Sequence, residues 1–444
     1  MKHNMPSSPP LRAGLLGEHL THSFSPMIHS MLAGGHYTYE LFERAPADVE
    51  AFIKEGEWDA LNVTIPYKQT VIPYLDVISA EASRIGAVNT VTRLPDGRLK
   101  GDNTDYFGLT HALEALGVPL AGKKALVLGN GGAAATAVTV LSDLGARVVV
   151  AARNGRSVGG ITPEPFEGLC HRHPDTAAVV NCTPVGMYPR LVGQAPIDLQ
   201  MFPTVEAVFD MVYNPACTAL LQDARDLGIP ARNGLLMLAA QAKAAAELFF
   251  GEPLSDGVVP PIVEAVTRET RNVILVGMPG CGKSTIGRAL AAALGRPFAD
   301  TDTMITEADG RPIPAILSEE GEEYFRILET EAIRRAGMES GTVIATGGGA
   351  VTRERNYRPL AQNGTIVFLE RDLHVLPVSG RPLSRVTTPE ELYRRRLPLY
   401  RAFSDVTVVN DGSVEAVTAR ILTILGYEPT PASPSETTSQ EASS

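Results

Sequence analysis

Asn272-Val-Ile-Leu-Val-Gly277-Met-Pro-Gly280-Cys281-Gly282-Lys283-Ser284-Thr285 decides how the C-terminal part of this chain folds. The run NVILV reads as a buried strand. It leads into G-x-x-x-x-G-K-[ST] without a mismatch, and then into TIGRALAAALG, a helix-forming stretch. Strand, glycine loop and helix in that order make a phosphate cradle. The glycines let successive N–H groups point into one concavity, and the helix start adds partial positive charge. In such a cradle Lys283 bridges the β- and γ-phosphates of ATP, and the Ser284 hydroxyl ligates Mg²⁺. Gly280, Cys281, Gly282 and Thr285 complete the loop. Cys281 reads as a small spacer rather than a redox-sensitive thiol.

A second glycine loop lies upstream. The strand-like run ALVLG (125–129) is followed by Gly129-Asn130-Gly131-Gly132-Ala133-Ala134, which fits G-x-G-x-x-A. A small-residue helix and a second strand, ARVVVAA (146–152), complete a βαβ unit. That strand ends at Arg153, with Arg156 close behind. An acidic residue there would bind the ribose 2′-hydroxyl of NAD, whereas arginine suits the 2′-phosphate of NADP. NADP(H) is therefore the expected cofactor; arginines that are merely exposed are the alternative. Two independent βαβ starts imply two sheets, not one long one.

Length agrees. At roughly 100–200 residues per domain, the chain's 444 residues predict two to four domains. The boundaries expected are a mixed α/β unit at 11–116 and a dinucleotide-binding unit of the Rossmann type at 117–250. A linker follows at 251–270, then a P-loop unit with a parallel sheet at 271–427. The Pro/Ser/Thr-rich tail at 428–444 is expected to be disordered.

The net charge of -11 disfavours nucleic acid and anionic membranes as partners. Anionic ligands must then be held by local Lys, Arg and backbone N–H groups. The four cysteines form no C-x-x-C pair and no zinc spacing, which fits free thiols in a reducing cytoplasm. The opening MKHNMPSSPPLR has no apolar signal core, so a cytoplasmic location is expected. The apolar stretch from Leu235 to Phe250 is interrupted by Gln241, Lys243 and Glu247, too short and polar to span a bilayer. The oligomeric state is not readable; a monomer is compatible with the sequence.

Further motifs follow the P-loop. They are Asp300-Thr-Asp302, GEEYFRILE with Arg326 and Glu329 one turn apart, VIATGGGAV with Gly347, Gly348 and Gly349, GRP with Arg381, and RLPLYR with Arg396. This ordered series closely resembles shikimate kinase over about 272–427. The resemblance implies transfer of the ATP γ-phosphoryl group to the 3-hydroxyl of shikimate. It also implies that Asp302 contacts and helps deprotonate the acceptor hydroxyl and that Asp300 supports Mg²⁺. Arg326 and Arg396 would clamp the substrate carboxylate, with Gly348 and its neighbours near the ring. Arg381, on a mobile lid, would meet the transferring phosphoryl group. Guanidinium groups suit the first task, because a planar fork pairs a carboxylate bidentately. Taken alone, Arg326 and Glu329 also read as a solvated helix pair. The segment RDLHVLPVSG lacks further basic residues common near the family's lid.

Upstream, another ordered set stands out. It runs His22-Ser23-Phe24-Ser25-Pro26, Asn62-Val-Thr64-Ile-Pro66-Tyr-Lys68, Gly86-Ala-Val-Asn89-Thr90 and Gly101-Asp-Asn103-Thr-Asp105. Asn181-Cys-Thr183, Tyr213-Asn-Pro215 and Gly234-Leu-Leu-Met237-Leu-Ala-Ala-Gln241 continue it. The set resembles shikimate dehydrogenase over about 11–250, which implies NADPH-dependent reduction of 3-dehydroshikimate. By the same resemblance Lys68 and Asp105 form the catalytic pair. Ser23, Ser25, Thr64, Asn89 and Gln241 would bind substrate. Tyr213 would lie near the substrate or nicotinamide, and Gly234 and Met237 near the nicotinamide. A lysine ammonium suits the chemistry, since an alkoxide formed by hydride addition needs a proton. A dehydrogenase acting on quinate with NAD is the alternative. Ala135 stands where the family's glycine loop commonly has arginine, so the 2′-phosphate grip falls more heavily on Arg153 and Arg156.

Overall fold

A computed structural model describes residues 10–20, 23–375 and 388–427. The tail 428–444 and Arg381 lie outside the described residues. The chain divides into two compact units, Met1–Glu269 and Thr270–Ser444.

The first unit holds two sheets. One is mixed: β1 (Leu11–Gly17), β2 (Tyr37–Glu43), β3 (Ala60–Val63), β4 (Val77–Ile78), β5 (Thr90–Arg93) and β6 (Leu99–Asp102), in the order β2-β1-β3-β5-β6-β4. β1 pairs in parallel with β2 and β3, whereas β5 runs antiparallel to both neighbours. The other sheet is wholly parallel: β7 (Lys124–Leu128), β8 (Arg147–Ala151), β9 (Thr176–Asn181), β10 (Ala207–Asp210) and β11 (Ala231–Asn233), ordered β11-β10-β9-β7-β8. The βαβ start expected at 125–152 is β7, the helix Gly132–Asp143 and β8. Val127, Leu128 and Val150 are fully buried, because helices cover both faces of a parallel sheet.

The chain then returns to the first sheet. The helix Leu235–Phe250 buries Ala239, Ala242, Ala245 and Phe249 in a cluster with Ala13, Ile28, Tyr37 and Ala60. It also lies close to the helix Asp105–Glu114: a Cβ on Gly108 would stand 2.5 Å from Met237 O. The last helix of the expected 117–250 unit thus packs with the first sheet.

The expected linker at 251–270 differs most from its reading. Residues Val259–Thr270 form a helix, and Val259, Ile262 and Val266 sink into the same cluster. Their i, i+3, i+7 spacing makes one apolar stripe. Pro260 and Pro261 fall in the first turn, where the missing N–H costs nothing. The proline-rich start masked this stripe.

The second unit is a single parallel sheet: β12 (Asn272–Val276), β13 (Phe298–Asp300), β14 (Val343–Ala345), β15 (Gly364–Glu370) and β16 (Val406–Val409), ordered β13-β14-β12-β15-β16. β12 is central and fully buried. The P-loop leaves its C-terminal end, and the helix Lys283–Leu294 follows. Crossovers reverse on either side of β12, the place where open α/β sheets bind ligands. Among the described residues no helix is long and apolar enough to cross a membrane.

Candidate active sites

In the first unit, the turn after β3 carries Lys68, and Asp105 opens the helix Asp105–Glu114. Lys68 Nζ meets Asp105 Oδ2 at 2.6 Å, with 27% and 14% of the two side chains exposed. Both are sheltered yet reachable, which a proton donor requires.

A hydrogen-bonded chain starts next to the pair, at Thr104 before Asp105 and at Asn89, whose neighbour Val88 donates its N–H to Lys68 O at 2.8 Å. Asn89 Nδ2 donates to Thr104 Oγ1 at 3.0 Å and reaches Gln241 Oε1 at 3.5 Å. Asn89 Oδ1 accepts from the Thr104 backbone N–H at 2.7 Å. Thr90 Oγ1 lies 3.2 Å from Thr104 Oγ1 and accepts from Asn62 Nδ2 at 3.4 Å. Asn62 Oδ1 accepts from Tyr39 at 2.8 Å. Ser25 is buried, and its side chain lies near the Tyr39 hydroxyl. Ser23 Oγ accepts the Ser25 backbone N–H at 3.2 Å. Thr64 is half-buried beside this set, and Tyr213 packs on Phe24 with ring centres 5.7 Å apart. The structure therefore brings Asn89 to Gln241 and Lys68 to Asp105. Burial pushes Tyr39 well above the usual phenol range, so it stays a neutral donor.

Sequence reading did not assign Tyr39, Asn62, Thr90 or Thr104 a role. Asn62, Thr90 and Thr104 stood inside the quoted motifs, and their positions at or just beyond strand ends were the available signal. Gly234 precedes the helix Leu235–Phe250, and Met237 is half-buried on its first turn.

The glycine loop leaves β7 at Gly129, whose φ of +103° suits glycine; a Cβ there would come 3.1 Å from Thr183 Cγ2. Gly131, Gly132 and Ala133 are exposed at the start of a helix that has no acidic residue in its first turn. Arg153 and Arg156 are exposed just after β8. Open backbone N–H groups and unburied guanidinium groups fit a phosphorylated dinucleotide. The side chain of Asn130 turns toward the segment after β8: its Nδ2 donates to Asn154 Oδ1 at 2.5 Å and to Arg156 O at 2.9 Å. The acceptor-rich turn at 154–156 outcompetes solvent for that amide.

In the second unit, Lys283 is buried, and Nζ donates to Gly277 O at 2.9 Å and Met278 O at 3.0 Å. Ser284 Oγ donates to Asp300 Oδ2 at 2.6 Å. Thr285 is exposed at the helix start. Among the described residues no three His, Cys, Asp or Glu side chains cluster as a metal site. The Ser284–Asp300 oxygen pair still fits Mg²⁺, which takes few protein ligands plus waters and substrate phosphates. Cys281 is fully buried, so its thiol is core, as a spacer should be.

Asp302 faces a cleft of about 420 Å³ lined also by Asp300, Thr303, Thr306 and Ile313. Its Oδ1 is shielded and has no hydrogen-bond partner. Burial, reinforced by the Asp300 charge, pushes its pKa up to about 6, against the pull of Lys283 and Arg326. Arg326 is not a solvated helix residue: it pairs with Glu329 at 2.7 Å, with 4% and 1% of the side chains exposed. Arg326 also bonds Glu322 at 3.0 Å, and Glu329 Oε1 lacks a partner. The three glycines make this possible. A Cβ on Gly349 would stand 2.0 Å from Arg326 Nη1. Arg396 Nη1 and the Tyr400 hydroxyl both donate to Gly348 O, at 2.9 and 2.6 Å. Tyr400 and Thr301, which accepts the Gly347 N–H at 3.0 Å, stood inside the quoted motifs RLPLYR and Asp300-Thr-Asp302 but were given no role.

The folds and sites define a dinucleotide-dependent dehydrogenase of two α/β lobes, followed in the same chain by a P-loop phosphotransferase. A family model described as shikimate dehydrogenase substrate binding domain matches residues 15–91, and one described as shikimate kinase matches 279–425. The shikimate dehydrogenase (NADP(+)) of Caldanaerobacter subterraneus is 35% identical over 257 residues, covering 54% of this chain and 91% of that relative. The relative of the same description from Oleidesulfovibrio alaskensis is 38% identical over 264 residues, covering 56% of this chain and 93% of its own. Among solved structures, a chorismate mutase/shikimate 5-dehydrogenase fusion protein from Clostridium acetobutylicum aligns with a TM-score of 0.54 at 34% identity, over 58% of this chain and 97% of that one. The Thermus thermophilus shikimate 5-dehydrogenase in complex with NADP(H) and shikimate aligns with a TM-score of 0.51 at 32% identity, over 57% and 99%. The chain belongs to the shikimate dehydrogenase family and carries a shikimate kinase domain in its C-terminal part.

Proposed function

We propose that the chain carries out two successive reactions on one metabolite. The first unit reduces 3-dehydroshikimate to shikimate with NADPH, and the second phosphorylates shikimate at its 3-hydroxyl with ATP and Mg²⁺. One observation in each unit carries the reading: the Lys68–Asp105 pair at 2.6 Å, and the shielded Asp302 carboxylate beside the Arg326–Glu329 pair.

In the first reaction NADPH, when bound, supplies the hydride. Lys68 Nζ holds the proton that the substrate's carbonyl oxygen takes up, and Asp105 orients that ammonium. Ser23, Ser25, Thr64, Asn89 and Gln241 bind the ring substituents, and Tyr213 closes the carboxylate side. Arg153 and Arg156 would hold the 2′-phosphate, and Gly234 and Met237 would lie on the nicotinamide side.

In the second reaction Asp302 takes the proton of the attacking hydroxyl. Arg326 and Arg396 bind the substrate carboxylate; the half-exposed Glu322 gives way to it. Lys283 and Arg381 stabilise the charge spread over the transferring group. Ser284 and Asp300 would hold Mg²⁺, which would neutralise charge on the phosphates. The four cysteines are free thiols, in keeping with a cytoplasmic enzyme.

A coupled assay tests the whole. With 3-dehydroshikimate, NADPH and ATP–Mg²⁺ the product is shikimate 3-phosphate; accumulation of shikimate alone would remove the kinase reading. Preference for NADH and 3-dehydroquinate would replace the dehydrogenase reading with a quinate enzyme. Lys68→Ala abolishes only the reduction, and Lys283→Ala only the phosphorylation. Loss of both activities from either change contradicts independent sites.

A further inference from the structure

The amide of Asn130 sits in the glycine loop but serves another segment. Its Nδ2 reaches Asn154 Oδ1 at 2.5 Å, Asn154 O at 3.3 Å and Arg156 O at 2.9 Å. An amide NH₂ has two donor hydrogens, so three acceptors on one short segment saturate it. Asn154 Oδ1 also accepts the Arg156 backbone N–H at 3.3 Å, which folds the segment into an Asx turn. Asn130 therefore ties the exposed turn that bears both arginines to the rigid end of β7.

We infer that Asn130 is a positioning residue for cofactor selection: its amide holds residues 153–156 in the shape that presents Arg153 and Arg156 to a 2′-phosphorylated ribose. The inference rests on reading those arginines as the NADP grip. An untethered surface turn must lose backbone freedom when its guanidinium groups close on a phosphate. A turn already fastened has lost that freedom beforehand, and the contact is correspondingly tighter. NADH lacks the 2′-phosphate and draws nothing from this preorganisation. The link acts on the choice between the two cofactors, not on the chemical step.

Steady-state kinetics of the full chain with 3-dehydroshikimate test this, using NADPH and NADH in parallel. In Asn130→Ala the KM for NADPH rises roughly fivefold to twentyfold, as expected for loss of two or three neutral hydrogen bonds. The KM for NADH and the kcat at saturating NADPH each move less than about twofold. Asn154→Ala shifts the same ratio in the same direction. The double variant is no worse than the poorer single one, since both changes cut one link. Equal losses with NADPH and NADH would place Asn130 on the pyrophosphate common to both cofactors and overturn the inference. Undiminished NADPH selectivity in both single variants would overturn it too. A wild-type chain without NADPH preference would bring down the arginine reading itself, a failure visible before any substitution. If Asn130→Ala does not fold, Asn154→Ala decides the matter from the other side of the link.

Discussion

Asp302→Asn should stabilise the kinase unit at neutral pH while disabling it. The carboxyl's Oδ1 is shielded and unpartnered, and Asp300 stands beside it. Its pKa lies at about 6 instead of the ordinary 3.8. The sign follows from linkage. A carboxyl whose pKa is raised by folding favours the folded state while it keeps its proton. That contribution is complete below pH 3.8 and is lost as the pH rises through about 6. At about 1.4 kcal/mol per pH unit, the ionised group costs the folded unit at most about 3 kcal/mol, and about 1–3 after allowing for its partial exposure. Asparagine has nearly the same shape and no charge, so it removes that cost. Calorimetry of the full chain reads the effect. The kinase transition is the one that Mg²⁺–ADP moves upward, by mass action. At pH 7.5 the variant's transition should lie above that of the wild type, and at pH 4 the two should nearly coincide. Phosphorylation of shikimate should fall at least about a hundredfold, because general-base assistance is lost. A variant destabilised at pH 7.5, or shifted equally at both pH values, would refute the reasoning about buried charge. Retained activity would refute the assignment of Asp302 as the base.

Other substitutions probe the remaining supports. Gly349→Ala places a methyl group 2.0 Å from Arg326 Nη1; it should displace the guanidinium and raise the KM for shikimate about tenfold or more, while the dehydrogenase reaction is unaffected. Asp210 lies at the end of β10, fully buried, and accepts from Asn181 Nδ2 at 2.9 Å, Val212 N at 3.0 Å and Thr218 Oγ1 at 2.6 Å. Asp210→Ala strands three donors and should lower the stability of the dehydrogenase unit by roughly 2–4 kcal/mol in chemical denaturation.

Much of the site was legible because it is local. A P-loop is a strand, a turn and a helix start within about fourteen residues, and its backbone chemistry follows from glycine positions. The same holds for Gly129 to Ala133 and for the acidic pair Asp300 and Asp302. Spacing also placed Arg326 and Glu329 on one helix face, but it did not say whether that face was wet. The pair is buried because residues 347–349 approach without side chains, and that contact spans the unit.

Composition misled at one place. Prolines and glycine at 251–261 suggested a linker, yet the stripe Val259, Ile262 and Val266 packs in a core. Whether an apolar stripe is buried depends on what faces it, here a cluster that also holds Ala13, Ile28, Tyr37 and residues of the helix Leu235–Phe250.

The two glycine loops, the order of catalytic motifs and the arginines after β8 were determined by sequence alone, since each is a short-range pattern whose geometry the backbone dictates. Only the tertiary structure joined the Asn130 amide to the turn at 154–156. It alone brought Asn89 within 3.5 Å of Gln241 across 152 residues and shielded Asp302. The physical reason is common to all three. Burial and hydrogen-bond partnership belong to the packed assembly, where distant segments compete for the same few donors and acceptors.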